Sequence, residues 1–380
     1  MRIDPRGLLV LATSTLMAGT LVLASPASAA DVPITPATPT VVGTVQYEKT
    51  LTAVPGAWTP SDVTFSYQWL RNGAPVGTDS PANRTRKLAS PGDVGKAYSV
   101  RVTASRPGST PVAAVSAATR PVARATVRST KRPTVKGSGK YGKTLTASSG
   151  RWSRKVDRLE YRWLRDGKPI RGANKRKYTI RASDVGARIT FRVQAKRAGF
   201  TTATAVSKAK RGKHVRGVRK TVTYSVTTRG SVKASVATFK RLAQETYDDP
   251  RGWRAMGVKL KRVSSGGDFT LVLSQASKVP SFSSACSTTY SCRVGRHVII
   301  NETRWQKATP AWNAKKGSLR NYRHMVVNHE TGHWFERGHA SCGGKGQLAP
   351  VMQQQSKGLN GCKINPWPKK NELHSSRFGF

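Results

Sequence analysis

Residues 328–342 read NHETGHWFERGHASC, and within them His329, Glu330 and His333 are spaced so that a helix turns both imidazoles to one side. Two such nitrogens on one face can hold a single divalent ion, and Glu330 then sits beside that ion without needing to ligate it. A third ligand has to come from outside the helix face. His339 is placed to supply it if the helix ends near Phe335 or Glu336 and the chain turns back. Three protein ligands leave one tetrahedral position to water, which is the catalytic arrangement of zinc rather than the structural one. Zinc lowers the pKa of that water to ~7, and Glu330 is the group placed to take its proton as it attacks a carbonyl. The expectation is one Zn2+ on His329, His333 and His339, with Glu330 as general base. HExxH alone recurs by accident, but the third histidine and the export leader described below favour the metal reading. His214, His297, His324 and His374 lack this spacing and are read as non-ligands.

These residues need a helix to hold them. Ser318 is a suitable N-cap, and Leu319, Tyr322, Val326, His329 and His333 follow one stripe after it. Upstream, from about Thr221, TVTYSV reads as a strand, ASVATFKRLAQETY as a helix with Val236, Phe239, Leu242 and Ala243 on one face, and VKLKRV, DFTLVLS and HVIIN as further strands. The catalytic region is therefore expected to be α+β.

The first half of the chain is organised differently. YEKTLTAVPGAWTPSDVTFSYQWLRNGAPV from Tyr47 recurs as YGKTLTASSGRWSRKVDRLEYRWLRDGKPI from Tyr141, and DVGKAYSVRVTA from Asp93 recurs as DVGARITFRVQA from Asp184. Each copy has the length of one β-sandwich. Short alternating runs are bounded by Asn72–Gly73 and Asp166–Gly167, which are hairpin turn signals. Two basic, acid-free stretches, Arg120 to Arg132 and Lys208 to Lys220, read as linkers.

The chain has 66 lysines and arginines against 18 acids, a formal charge of +48, yet 37% hydrophobic residues suffice for packed cores. Its first residues place Arg2 and Arg6 before an apolar run that ends in Ala27, Ser28, Ala29, the pattern of a secretory signal peptide cleaved near Ala29 or Ala30. A membrane anchor needs ~20 well-packed apolar residues, and Thr13, Ser14, Thr15, Thr20 and Pro26 interrupt this run. The mature chain is expected to have no transmembrane segment. All four cysteines lie in the last hundred residues, and an oxidising compartment favours two disulfides. Three pairings are possible. Cys286 with Cys292 and Cys342 with Cys362 are favoured because each closes a local loop; thiolate ligation of zinc is the competing reading, without a CxxC spacing to support it.

HExxHxxxxxH with a downstream methionine resembles the metzincin metallopeptidases. The C-terminal region, through DDPRGW, INETRW, YRHMVVNHE, PVMQQQ, GLNGC and NPWP, more closely resembles an actinobacterial family of exported proteins carrying the DUF3152 domain, over roughly residues 219 to 370. The metzincin resemblance implies that His329, His333 and His339 are the zinc ligands, Glu330 the general base, and Met352 the methionine of a turn beneath the metal. Met352 on its own also reads as core filler. Metzincins place glycine three residues after the second histidine, where this chain has Glu336; a non-glycine residue there costs ~1 to 2 kcal/mol if it adopts the same left-handed backbone. Gly338 is the alternative source of that turn. The family also pairs substrate with an edge strand, for which HVIIN or DFTLVLS are the candidates. The repeats, with a tryptophan in a central strand and an Asp-x-Gly turn some thirty residues later, resemble bacterial immunoglobulin-like modules over about residues 38 to 210, without the inter-sheet cysteines of antibody domains.

The architecture read from the sequence is multidomain: a signal peptide over 1–29, two all-β immunoglobulin-like sandwiches over 38–122 and 130–210, a basic linker over 211–218, and an α+β metzincin-like zinc hydrolase domain over 219–380. The expected function is a secreted, extracellular or envelope-associated zinc metallopeptidase acting on protein or peptide substrates, its basic modules attaching it to anionic envelope polymers. The competing function is an inactive envelope-binding or adhesion protein with a structural metzincin-like domain. Nucleic-acid binding rests on charge alone and has no motif behind it.

Overall fold

The computed structural model describes residues 33–380, and the leader expected over 1–29 lies outside them. The chain divides after Ala125 into two compact units.

In the first unit a three-stranded antiparallel sheet (Thr40–Gly43, Thr50–Val54, Thr85–Lys87) accompanies a four-stranded one in the order Ala74–Ser80, Thr64–Arg71, Tyr98–Ser105, Val112–Val115. Alternation buries Tyr98, Val100, Val102 and Ala104, and Leu51, Ala53 and Trp69 of the same unit are buried as well. The Trp69 indole donates to the Asn83 carbonyl at 2.8 Å, so its N–H is satisfied as its ring is buried. Asn72 (φ 50°) and Gly73 (φ 83°) make the tight hairpin, both in the left-handed region that such turns require.

The second unit begins with the second sequence repeat, built in the same way. A three-stranded sheet (Val135–Lys136, Thr144–Ala147, Lys177–Thr179) accompanies a larger one centred on Arg158–Arg165 and Arg188–Lys196. Trp163 is fully buried, stacks on Tyr178 at 5.4 Å between ring centroids and donates to the Lys175 carbonyl at 2.8 Å. The basic stretch from Lys208 is partly tied down: Lys210–Arg211 pairs with Arg188 and Ile189, and the Lys213 amide donates to the Gly139 carbonyl at 2.8 Å.

From Lys220 the same unit continues as a five-stranded mixed sheet in the order Val258–Arg262, Lys220–Arg229, Phe269–Ser274, His297–Asn301, Cys292–Val294. The first four strands run parallel, and Cys292–Val294 runs antiparallel along one edge. Phe269–Ser274 is buried on both faces: Leu271 and Leu273 join the main core, whereas Val272 packs with Ile299, Val279 and Cys286. Helix α1 (Val236–Asp248), capped by the Ser235 hydroxyl, buries Phe239, Leu242, Ala243 and Tyr247. Two short helices, α2 (Glu302–Lys307) and α3 (Pro310–Ala314), lead to α4 (Leu319–Trp334), whose N-cap is Ser318. Helix α4 is pinned to α1 by buried hydrogen bonds between Thr246 and His324 at 2.8 Å and between Tyr247 and Thr331 at 2.9 Å.

The edge-strand expectation is corrected. Both DFTLVLS and HVIIN are interior strands with neighbours on each side, and the edge beside α4 is Cys292–Val294. Three residues next to a cysteine-closed loop carry too little alternation to read as a strand in the sequence.

Candidate metal centre and its cleft

Helix α4 presents His329 and His333 one turn apart. The His329 Nδ1 lies 2.8 Å from the Val351 carbonyl oxygen, and the His333 Nδ1 2.8 Å from that of Arg337. A carbonyl oxygen only accepts, so each Nδ1 carries the proton and each Nε2 is left with its lone pair. The His333 Nε2 stands 3.2 Å from the Nε2 of His329 and 3.2 Å from that of His339. Tetrahedral ligands at about 2.05 Å from one ion are about 3.3 Å apart. Two fixed tautomers with lone pairs facing at this spacing repel each other unless a cation lies between them. The donor set therefore fits a divalent ion that accepts three imidazoles.

Burial pushes His329 down to about 3, with the neighbouring His333 and His339 adding to the effect. Burial also holds His333 and His339 below the usual histidine range. All three are thus held neutral, the form that ligates metal. Glu330 is 5% exposed, and its carboxylate has no hydrogen-bond or ion-pair partner among the described residues; burial pushes it up to about 8.

His339 is brought back by a helix end with a Schellman pattern. The Arg337 amide donates to the Gly332 carbonyl at 3.0 Å and the Glu336 amide to the His333 carbonyl at 3.1 Å. Glu336 itself takes the left-handed conformation, with φ 65°, and its carboxylate pairs with Arg377 at 3.1 Å. The alternative turn at Gly338 is not used, because Glu336 adopts the backbone that a glycine would have taken.

Met352 is buried directly against α4. A Cβ on Gly332 would collide with the Met352 Sδ, so the glycine inside HETGH is what lets the methionine approach the helix. The turn carrying Met352 also supplies the Val351 carbonyl that orients His329. Glu372 holds this turn: its carboxylate, 2% exposed, accepts from the amides of Val351 at 3.0 Å, Met352 at 2.9 Å and Lys369 at 2.7 Å. Sequence reasoning missed both Gly332 and Glu372, since neither has a spacing that distinguishes it from an ordinary helix or loop residue.

The histidines and Glu330 open into a cleft of about 670 Å³. One wall comprises Tyr290, Ser291 and Arg293, and the segment from Gln354 to Lys357 also borders it. The cysteines pair as Cys286–Cys292 and Cys342–Cys362, with Cα separations of 6.0 and 5.8 Å, so none is left to ligate metal among the described residues. The first closes the loop of the Tyr290 wall. The second joins the chain after His339 to the chain after Met352. Of the other histidines, His324 packs on Trp367, His297 on Phe282, and His374 accepts from Arg337. His214 lies apart from the cluster, near Arg254.

Among the described residues no helix is long and apolar enough to cross a membrane. Three solved structures to which the chain is similar are the three N-terminal domains of the highly immunogenic outer capsid protein of bacteriophage RB49 (15% identity, 51% of this chain and 65% of that one, TM-score 0.23), a two fibronectin type-III domain segment of chicken tenascin (13%, 46% and 98%, 0.25), and a Ca2+-stabilized adhesin of an Antarctic bacterium (14%, 51% and 52%, 0.24). The chain spans less than two thirds of the first and third of these. No curated protein matches it. Residues 193–374, which take in the whole histidine cluster, its cleft and the Met352 turn, match the family described as "Protein of unknown function (DUF3152)".

Proposed function

We propose that the chain is a zinc-dependent hydrolase that cleaves peptide bonds, with His329, His333 and His339 holding the ion and Glu330 moving the proton. The observation that carries this reading is the convergence of Nε2 lone pairs, two of them fixed by carbonyls on the opposite nitrogen, beside a buried carboxylate without a partner. Zinc bound there would lower the pKa of a coordinated water to ~7 and polarise a substrate carbonyl. Glu330 accepts the proton of the attacking water and returns it to the amide nitrogen as the C–N bond breaks. The cleft gives an extended chain access to both groups, and the Cys292–Val294 edge offers it free backbone groups for pairing.

Two disulfides support folding in an oxidising compartment, and with the leader they favour an exported protein. The cations of the two repeats suit weak, salt-sensitive attachment to anionic polymers, screened over ~8 Å at physiological ionic strength. Incubating the purified mature chain with a mixed peptide library, with and without a zinc chelator, tests the reading. Cleavage abolished by chelation and restored by zinc is expected. A chain that holds zinc and cleaves nothing would instead favour a binding protein.

A further inference from the structure

Cations outnumber acids throughout this chain, so a positive cleft by itself says little; what matters is which of its cations are already used. Three line the cleft. The Arg337 guanidinium donates to His374 and is therefore engaged. Lys357 lies close enough to His339 to disfavour its protonation, and its ammonium rests 5.6 Å from the centre of the Tyr290 ring, with no carboxylate partner among the described residues. Arg293 projects from the Cys292–Val294 edge strand, close enough to His333 to act on it in the same way. Its buried Nε has no hydrogen-bond partner, and no carboxylate pairs with it among the described residues. The Nε atoms of Arg86, Arg101, Arg192 and Arg304 are also without partners, but of these five arginines Arg293 is the one that lines the cleft. The single carboxylate in the lining is Glu330, which the reaction requires for itself.

A guanidinium that lines the cleft with no carboxylate partner can offer its terminal nitrogens to a ligand carboxylate, and charge-assisted bonds of this kind are about twice as strong as neutral ones. We propose that the cleft selects acidic peptides, with Arg293 beside His333 and Lys357 beside His339 receiving substrate carboxylates. The reaction in this statement rests on the hydrolase reading; the binding does not. A neutral or basic peptide would leave both cations unpaired, and a basic one would add like-charge repulsion.

The test uses the full mature chain and two fluorescein-labelled decapeptides, one of alternating Glu and Ala and one with Gln in place of every Glu. Binding is read by anisotropy in the Glu330→Gln background, so that turnover does not interfere. Replacing both Arg293→Gln and Lys357→Gln should weaken the Glu peptide by about tenfold or more and leave the Gln peptide unchanged. Lys259→Gln with Lys261→Gln, exposed on the far edge strand, should change either peptide by less than about twofold. The charge-keeping pair Arg293→Lys and Lys357→Arg should restore most of the lost affinity, which separates loss of charge from loss of fold. Equal effects of the cleft and far-edge pairs, or no effect of the cleft pair, would overturn the proposal. Cleavage by the Glu330-containing chain is measured in parallel. Equal cleavage of both peptides, unaffected by the cleft pair, keeps the hydrolase and discards acidic selection. Cleft-dependent binding with no cleavage of either peptide keeps the acidic ligand and discards the hydrolase.

Discussion

Asp184 in the second repeat and Glu330 in helix α4 are both carboxylates taken almost wholly out of water, at 0% and 5% exposure, yet their surroundings are opposite. Asp184 accepts from the Tyr178 hydroxyl at 2.6 Å, the Arg165 Nε at 2.6 Å and the Arg181 amide at 2.7 Å. In the first repeat Asp93 is satisfied in a similar way, by Tyr98 at 2.6 Å and Arg71 at 3.4 Å, although its tyrosine comes from a different strand. Glu330 has none of this. A buried carboxylate surrounded by donors fixes a fold, whereas one left without donors and facing a cleft has its proton affinity raised and ionises only when a nearby cation favours the charged form. Glu372 shows that the region around the histidine cluster can build the first kind too, since three amides hold it under the Met352 turn.

The largest effect is expected from Glu330→Gln. It keeps size and hydrogen-bonding capacity but removes the base, so zinc should stay bound while hydrolysis falls ~100 to 10,000-fold. The same substitution has a pH signature in the zinc-free protein. A carboxyl whose pKa is raised on folding, from 4.5 to about 8, supports the fold while protonated and withdraws that support as pH climbs through this window. Thermal melts of chelator-treated protein should therefore show the Glu330→Gln variant gaining on wild type between pH 5 and about 8, and the gap should narrow once zinc favours the ionised form. A constant gap across that range would mean that Glu330 is not held protonated.

Asp184→Ala should do the reverse. It leaves Arg165, Tyr178 and an amide unpaired, and because the Arg165 side chain is 32% exposed the cost belongs at the low end of the range for broken buried pairs, about 3 kcal/mol. Urea unfolding should register that loss with zinc content and hydrolysis unchanged; a loss of zinc would break the division between the two carboxylates. Cys342→Ser with Cys362→Ser should cost a similar ~3 kcal/mol, as expected for a loop closed over a sequence separation of 20, and should also loosen the chain on both sides of the metal. The smallest effect is expected from Glu336→Gly. Relief of the left-handed backbone is worth about 1 kcal/mol, set against a half-exposed ion pair with Arg377 that contributes little. A small rise in melting temperature with unchanged zinc content would show that Glu336 is tolerated; a large fall would assign it a role in placing His339.

Much of this was legible because the decisive signals are local. The HExxH spacing, the Ser318 cap, the hairpin turns at Asn72–Gly73 and Asp166–Gly167, and the pairing of cysteines close in sequence each depend on neighbours along the chain. What escaped depends on contacts between distant segments. Gly332 is needed because Met352 presses on it, Glu372 matters because a turn some twenty residues earlier needs its amides held, and Arg293 lines the cleft because Cys292–Val294 folds back as an edge strand. Glu336 shows a third situation. Its departure from glycine was plain in the sequence, but only the helix-end hydrogen bonds show that the left-handed turn is kept regardless.

Whether the three Nε2 atoms form a metal centre is read from the zinc content of the purified mature chain by elemental analysis, wild type beside His333→Ala and His339→Ala. Burial holds His329 and His333 neutral and carbonyls fix their tautomers, so the wild type should carry one zinc per chain at neutral pH. His333→Ala, which removes the nitrogen that stands 3.2 Å from both others, should carry almost none, and His339→Ala should lose most of it. A wild type that takes up no zinc after dialysis against it, or variants that retain as much as wild type, would contradict the account.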